Sequence, residues 1–189
     1  MCLLREQRSY LHSTDIFEQI TNLKKNSNLN GLTINFKKRI SSLPYIIITK
    51  KPSQKKQSES YTNFKFKIGK KLFFGYIFQH KKRLISRKLY KEEIFQREVS
   101  YDKKNIYIPN FDKFNFVEKI TCAAMKFLKK TSSEKKNKWY LANLTMSKYL
   151  KKKKYKNLKL IINKKIGKIF IFEIFSNQKE IGKMLFIKK

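Results

Sequence analysis

Cysteine, proline, glycine and acidic residues are all scarce in this chain of 189 residues, and the shortages exclude several classes of protein. The chain has 5 Gly, 3 Pro and 2 Cys. Cys2 and Cys122 are too few and too far apart for a disulfide scaffold, which indicates a reducing compartment. No apolar run reaches the roughly 18 residues that a membrane-spanning helix needs, so we predict no transmembrane segment.

The shortage of acid leaves a large uncompensated charge. Asp and Glu total 13 against 46 Lys and Arg, which gives a formal net charge of +33. An isolated globule with that charge would repel itself, so the first inference is a polyanionic partner, either nucleic acid or an anionic membrane surface. Because 41% of the residues are hydrophobic and 14% are aromatic, the chain has enough apolar material to fold, unlike a disordered basic tail.

The abundant residues point to the genome that encodes the chain. Lys, Ile, Phe, Asn and Tyr dominate while Ala, Val, Gly and Pro are rare, and the favoured residues are those with A- and T-rich codons. This pattern is typical of a very A+T-rich genome, and we predict an organelle-encoded protein of the mitochondrial matrix. Codon bias does not explain the charge, since the codons of the acidic residues are also rich in A and T.

The length fits one domain or one domain with an insertion, and the residue patterns predict an α+β fold. Alternating apolar residues predict a hairpin at 61–78 and a three-stranded antiparallel sheet at 158–188. Apolar stripes with helical spacing predict two or three packed helices, at 13–25, 113–130 and 139–156. We divide the chain into an N-terminal α/β region with the hairpin, a helical segment and a C-terminal antiparallel sheet, at residues 1–100, 101–157 and 158–189.

Catalytic signals are weak. The aspartates are scattered, His12 and His80 stand alone, and no Cys/His spacing matches a zinc site. No glycine-rich phosphate loop is present, and Cys122 lies on an apolar helical face, where it is expected to act as a small core residue. We therefore predict a protein that is not an enzyme and that uses no cofactor, metal or small-molecule substrate.

The basic residues form recurrent clusters, and clustered Lys and Arg neutralise phosphates and release counterions. Nearby Ser and Asn can add hydrogen bonds to an RNA backbone. The RNA-binding residues predicted on this ground are Lys81, Lys82, Arg83, Ser86, Arg87, Lys88, Lys151, Lys152, Lys153, Lys154, Lys164 and Lys165.

Four short stretches resemble a known family, small-subunit ribosomal protein eight of the bacterial type. DIFEQITN at 15–22 is similar to the family's D-x-L-x-x-I-R-N, and KRLISRKLY at 82–90 is similar to a shortened K-R-I-S-K-P-G-R-R-V-Y. Residues 167–178 resemble G-I-x-I-x-S-T-S-x-G, and IGKML at 181–185 resembles I-G-G-E-I-L. The proline-glycine pair of the second motif is missing, only one Ser remains in the third, and residues from about 100 to 157 would be an insertion.

The resemblance implies that the C-terminal sheet and its turn at Ser176 and Asn177 bind small-subunit rRNA. Together with the charge, it predicts a structural component of a mitochondrial ribosome whose partners are rRNA and neighbouring ribosomal proteins, with a place in the small subunit. The alternatives are a matrix-facing accessory subunit of a membrane-bound organellar complex, held by anionic lipid, and a fragment of an intron-encoded maturase or nuclease. The last is disfavoured because no paired carboxylates indicate a metal site.

Overall fold

The structure is a computed structural model, and it describes residues 3–5, 11–23, 29–83, 86–88, 92–110, 114–131, 138–149 and 155–188. The chain divides into two compact units. Unit one is drawn from residues 1–90 and 145–151, and unit two from residues 91–144 and 152–189.

Strands outnumber helices in both units. The elements from the first part of the chain are β1 (Leu3–Arg5), α1 (Ser13–Asn22), β2 (Leu29–Phe36), β3 (Ser42–Thr49), α2 (Gln54–Glu59), β4 (Thr62–Ile68), β5 (Lys71–Arg83) and β6 (Ser86–Lys88). The remaining elements are α3 (Glu92–Glu98), β7 (Ser100–Tyr101), β8 (Asn105–Tyr107), α4 (Phe116–Thr131), β9 (Trp139–Tyr149), β10 (Leu158–Ile166), β11 (Ile169–Ser176) and β12 (Lys179–Lys188). Strand β9 contributes residues to both units, which divide after Leu144.

Unit one is built on an antiparallel sheet with the strand order β3-β5-β4-β2. The alternation along β4 buries Phe64 and Phe66 and exposes Lys65 and Lys67. This is the period-two pattern of a strand with one face in the core. Strands β4 and β5 meet at a tight turn in which Gly69 has φ +59°, a conformation that glycine adopts without steric cost.

Helix α1 supplies apolar side chains to the core of unit one. Its buried residues include Ile16, Phe17 and Ile20, which recur at the spacing of one helical face. The Phe17 ring meets the Tyr149 ring edge to face, with 5.0 Å between centroids. Residues far apart in sequence thus close the same core.

Unit two has the antiparallel strand order β12-β11-β10-β8-β7. Strand β11 alternates strictly and buries Phe170, Phe172 and Ile174. Helix α4 packs its apolar face on this sheet. At its N-terminus, the backbone N–H groups of Asn115 and Glu118 each donate to the other residue's side chain, both at 2.8 Å, which forms a capping box.

The predicted fold class, small antiparallel sheets with two or three packed helices, is wrong. Ten of the described strands belong to one hydrogen-bonded series, in which β9 follows β2 and is followed by β12. The strands at 158–188 lie inside that series, between β9 and β8, and do not form a separate small sheet. A further short pair, β1 and β6, is parallel.

The predicted helix at 139–156 is also wrong, because residues 139–149 form strand β9. The buried residues Trp139, Leu141, Leu144 and Met146 follow one another at intervals of two, three and two. An interval of three inside a strand mimics helical spacing, so periodicity alone does not separate the two. Within the described residues, no helix is both long and apolar enough to cross a membrane.

Candidate functional site

The predicted RNA-binding residues are spread over several elements. Lys81, Lys82 and Arg83 end strand β5, and Lys81 is exposed there. Ser86, Arg87 and Lys88 form β6. Residues 151–154 lie outside the described residues. The remaining four candidates belong to unit two, at the two ends of strand β11 or beside them.

Lys164 and Lys165 lie at a β-hairpin end that is exposed throughout. Every residue from Asn163 to Lys168 is exposed, and Gly167 makes the turn with φ +53°. Lys168 completes the group, and its carbonyl accepts a hydrogen bond from the backbone N–H of Lys188 at 2.8 Å. We call Lys164, Lys165 and Lys168 the lysine turn.

The lysine turn is held by ladder hydrogen bonds but carries little counter-charge. Lys165 places its Nζ 5.5 Å from the centroid of the Phe170 ring. Among the described residues, the recorded ion pairs join Lys183 to Glu173 and to Glu180, and none involves the lysine turn. The three ammonium groups are therefore presented to solvent by a backbone with a defined position.

Ser176 and Asn177 have structural partners within unit two. The Ser176 hydroxyl is buried and donates to the Lys156 carbonyl at 2.9 Å, and the Asn177 N–H donates to the same oxygen at 3.2 Å. The Asn157 side-chain amide donates to Asn177 Oδ1 at 3.0 Å. These bonds join the turn between β11 and β12 to the segment that enters β10. The Ser176 hydroxyl is thus engaged inside the unit.

Glu173 lies on β11, on the face of the sheet opposite the buried side chains of that strand, and it is paired with a lysine. Lys183 Nζ donates to Glu173 Oε1 at 3.0 Å, and the side-chain amide of Asn163 donates to the same oxygen. The bond from Lys183, and then that from Asn163, lowers the pKa of Glu173, while the pKa of Lys183 is raised by the same bond and by the charge of Glu173. This pair is solvated, so its contribution is modest.

Asp102 organises the turn between β7 and β8. Its Oδ1 accepts the backbone N–H groups of Lys104 at 2.9 Å and Asn105 at 2.8 Å, and the Asn105 side chain donates to both carboxylate oxygens. The Tyr107 hydroxyl donates to Oδ2 at 3.2 Å. Hydrogen bonds to the ionised form, first that of the Asn105 side chain, lower the pKa of Asp102 to about 2, and the same carboxylate raises the pKa of Tyr107.

We expect Asn105→Ala to raise the pKa of Asp102 from about 2 toward its ordinary value, because this variant removes the largest cause of the shift. In the native protein the charged form stabilises the turn above the unfolded pKa of roughly 4, and this contribution disappears as pH falls through about 2. The measurement is a carbon-detected NMR titration of the carboxyl group. Tyr107→Phe is the control, since its bond is the smallest cause, and a midpoint still near 2 in Asn105→Ala would contradict the assignment.

The two histidines lie on different elements, and the described cysteine is buried. His12 precedes α1, where its N–H donates to Asp15 Oδ2 at 3.0 Å, and His80 lies 4.7 Å from Tyr45, ring to ring. Cys122 is buried on α4. In the part of the chain that the structure describes, no three His, Cys, Asp or Glu side chains converge in a way that could hold a metal ion.

Comparison with known proteins finds likeness in structure alone. No family model and no curated protein matches the chain. Similar solved structures include the dehydratase domain from the CurF module of curacin polyketide synthase, which is 8% identical with a TM-score of 0.48 over 95% of this chain and 84% of that one. A protein described as an oleoyl thioesterase from Lactobacillus plantarum is 8% identical with a TM-score of 0.39, over 100% and 92%. The acyl-CoA thioesterase II TesB2 from Mycobacterium marinum is 10% identical with a TM-score of 0.38, over 94% and 88%.

These findings correct the predicted identity. The resemblance to small-subunit ribosomal protein eight is wrong: no family model and no curated protein supports it, and residues 139–149, which it treats as part of an insertion, form a strand of the main hydrogen-bonded series. The predictions of a ribosomal constituent and of rRNA and ribosomal proteins as partners are corrected with it. The separate prediction of a non-enzyme, drawn from the weak catalytic signals, is corrected as well. The alternative of a lipid-held subunit of a membrane complex is likewise unsupported. At 8–10% identity, the likeness assigns no activity or substrate to this chain.

The structure also explains the false resemblance. The four matching stretches are short and drawn from the few residue types that dominate the chain. The supposed insertion at 101–157 contains strands β8 and β9, which hydrogen-bond within the main series. Because these strands pair with their neighbours in the sheet, the segment is part of this fold. It is therefore not an insertion into the fold of the ribosomal family.

Proposed function

We propose that this protein binds a polyanion and that the lysine turn is one of its contact sites. The observation that carries the proposal is that Lys164, Lys165 and Lys168 are exposed together on a hairpin end with no recorded ion pair. Three like charges within five residues of one hairpin repel one another, and a row of negative groups would relieve that repulsion. The net charge of +33 likewise favours a negatively charged partner for the chain as a whole.

The chemistry of the cations narrows the kind of binding. Lysine is a compact point charge on a flexible stem, whereas arginine forms a planar fork that reads the geometry of its partner. Lysine greatly outnumbers arginine in this chain. The favoured partner is therefore a linear polymer of closely spaced phosphate or sulfate groups. It would be bound through its charge, with little selection for any other feature of the polymer.

We expect the triple variant Lys164→Gln, Lys165→Gln and Lys168→Gln to weaken binding to long-chain inorganic polyphosphate and to make it less sensitive to salt. Each phosphate contact contributes about one to the slope of log K against log salt, so the slope should fall by roughly 2 to 3. Fluorescence anisotropy with end-labelled polyphosphate, at several salt concentrations, measures this slope.

The control is a triple variant with the same loss of charge at scattered exposed lysines, namely Lys50, Lys103 and Lys129. It should lower affinity through net charge while leaving the slope nearly unchanged. If both triple variants change the slope equally, the lysine turn is not a contact site. If the wild-type chain fails to bind polyphosphate at low salt, the proposed function is wrong.

We propose further that the protein acts in mitochondria. The residue preferences of an A+T-rich genome and the scarcity of cysteine support this location. Protease protection of purified mitochondria, followed by immunoblotting, tests it. Digestion of the protein while the outer membrane is intact would contradict a location inside the organelle.

A further inference from the structure

Unit two contains an open groove of about 540 Å³ beside the turn between β11 and β12 and the segment that enters β10. The groove lies where β8 ends, β10 begins and β11 turns into β12. Its volume falls within the range of roughly 300 to 1,000 Å³ that is usual for small-molecule sites. The lysine turn is at the opposite end of strands β10 and β11, so the two features are distinct.

Aromatic rings and one lysine make up one wall of the groove. In the strand register, Lys159 of β10 faces Tyr107 of β8 on one side and Phe175 of β11 on the other. Directly opposed residues lie on the same face with Cβ atoms about 5 Å apart. Tyr107 is 46% exposed and Phe175 is half-buried, so both rings are accessible. The buried side chains of Ile108 and Leu158 add an apolar floor.

The ammonium group of Lys159 is placed beside this wall without a recorded acidic partner. Its Nζ lies 5.8 Å from the centroid of the Phe175 ring. The nearby carboxylates are otherwise engaged: Asp102 accepts the Tyr107 hydroxyl, and Glu180 lies 3.7 Å from Lys183. Lys159 therefore supplies a positive charge next to an apolar, aromatic surface.

The rim of the groove has an unusual backbone. Asn157, Asn177 and Gln178 have φ values of +47°, +49° and +65°, and they are the described residues other than glycine with positive φ. Asn177 and Gln178 form the two-residue turn between β11 and β12, where positive φ is usual, and asparagine tolerates this conformation. Here the bonds to the Lys156 carbonyl and between the two asparagines hold them. The rim thus presents amide groups from fixed positions.

We propose that this groove binds a planar aromatic anion of about nucleotide size. The aromatic ring lies against Phe175 and Tyr107, and the anionic group lies at Lys159. Stacking on an aromatic side chain strengthens the binding of a planar ring, and the lysine selects the negative charge that an uncharged ring lacks. The amides of the rim can donate to and accept from polar atoms at the edge of the ring.

The test uses adenosine 5′-monophosphate as the probe, at about 150 mM salt to screen diffuse charge. Titration is followed by shifts of backbone amide resonances in NMR. The largest shifts should fall at residues 107–108, 157–159 and 175–178. Adenosine lacks the anion and inorganic phosphate lacks the ring, so each should bind at least about tenfold more weakly.

Three variants separate the contributions of the aromatic ring and of the positive charge to nucleotide binding. Phe175→Leu keeps an apolar side chain but removes the ring, and Lys159→Gln removes the charge; each should weaken binding about fivefold or more. Lys168→Gln, in the lysine turn, removes an equal charge outside the groove and should change affinity less than about twofold. An unchanged emission spectrum of Trp139 shows that each variant is folded. If Phe175→Leu does not fold, Tyr107→Leu is used in its place.

Two results would overturn the proposal. One is the absence of groove shifts at millimolar nucleotide. The other is an equal loss of affinity in Lys159→Gln and Lys168→Gln, which would show that general positive charge, not the groove, attracts the phosphate. Polyphosphate binding is measured separately at the lysine turn, so the proposed function can fail while the groove proposal holds, and the reverse.

Discussion

Gly75→Ala is expected to destabilise unit one by roughly 3 kcal/mol, near the upper end of the usual effects of overpacking a core. Gly75 lies opposite Phe64 in the pairing of β4 with β5, and the Phe64 ring lies across the glycine. A Cβ at position 75 would lie 2.0 Å from Phe64 Cζ and 2.3 and 2.4 Å from the two adjacent ring carbons. These separations are far inside van der Waals contact, so either the ring or the strand must move.

The surroundings of Phe64 make that movement costly. The ring is 3% exposed and stacks with Phe66 at 6.0 Å between centroids. Hydrogen exchange of the β4 and β5 amides, followed by mass spectrometry, measures the expected loss of protection. In the double variant Phe64→Leu with Gly75→Ala, the second substitution should cost much less than it does alone, because contacting residues are energetically coupled.

Gly69→Asn provides the matched control in the same hairpin. Gly69 has φ +59° and nothing within 4 Å of an added Cβ, and asparagine tolerates this conformation. This variant should cost less than about 1 kcal/mol. If Gly75→Ala costs no more than Gly69→Asn, or if its effect adds to that of Phe64→Leu without coupling, the steric account is incorrect.

Local patterns predicted the individual elements much better than their assembly. The stripe of helix α4 and the alternation of β4, β5 and β10 to β12 are each visible in a short window of sequence, because burial on one face sets the period. The order in which β9 follows β2 and β12 follows β9 depends on contacts between distant segments, and sequential strands are neighbours in only about two-thirds of cases. No window of the sequence contains that information.

The candidate sites were also predictable only in their local features, and their contacts with distant segments were not. The positive charge of Lys164 and Lys165 is evident from composition, but only the structure shows that Glu173 is paired with Lys183 on the neighbouring strand and not with either of them. Ser176 was predicted to bind rRNA because residues 167–178 resemble a motif of small-subunit ribosomal protein eight. Only the tertiary structure shows it donating to the Lys156 carbonyl. The groove joins three separate segments of the chain, and nothing in any one of them indicates it.

Phe127→Ala is expected to lower the free energy of unfolding of unit two by roughly 3–5 kcal/mol, the usual cost of removing a buried aromatic ring. Phe127 is the point at which helix α4 meets the aromatic core of the sheet. Its ring makes edge-to-face contacts with Tyr101 at 5.7 Å, Phe170 at 6.4 Å and Phe172 at 6.3 Å between centroids. Truncation removes three contacts, each worth about 0.5–1.5 kcal/mol beyond area burial, and leaves a cavity that the capped helix cannot close.

The chain contains its own reporter for this experiment. Trp139 is its single tryptophan, belongs to unit two and meets Phe170 edge to face at 5.3 Å, so its fluorescence follows the same cluster during urea unfolding. Phe127→Leu fills much of the lost volume and should cost less than half as much, while Lys129→Ala on the exposed face of α4 should change stability by no more than about 0.5 kcal/mol. If Phe127→Ala unfolds at the same urea concentration as Lys129→Ala, then helix α4 is not held on the sheet by this ring. The sheet would then have to retain the helix through its aliphatic contacts alone.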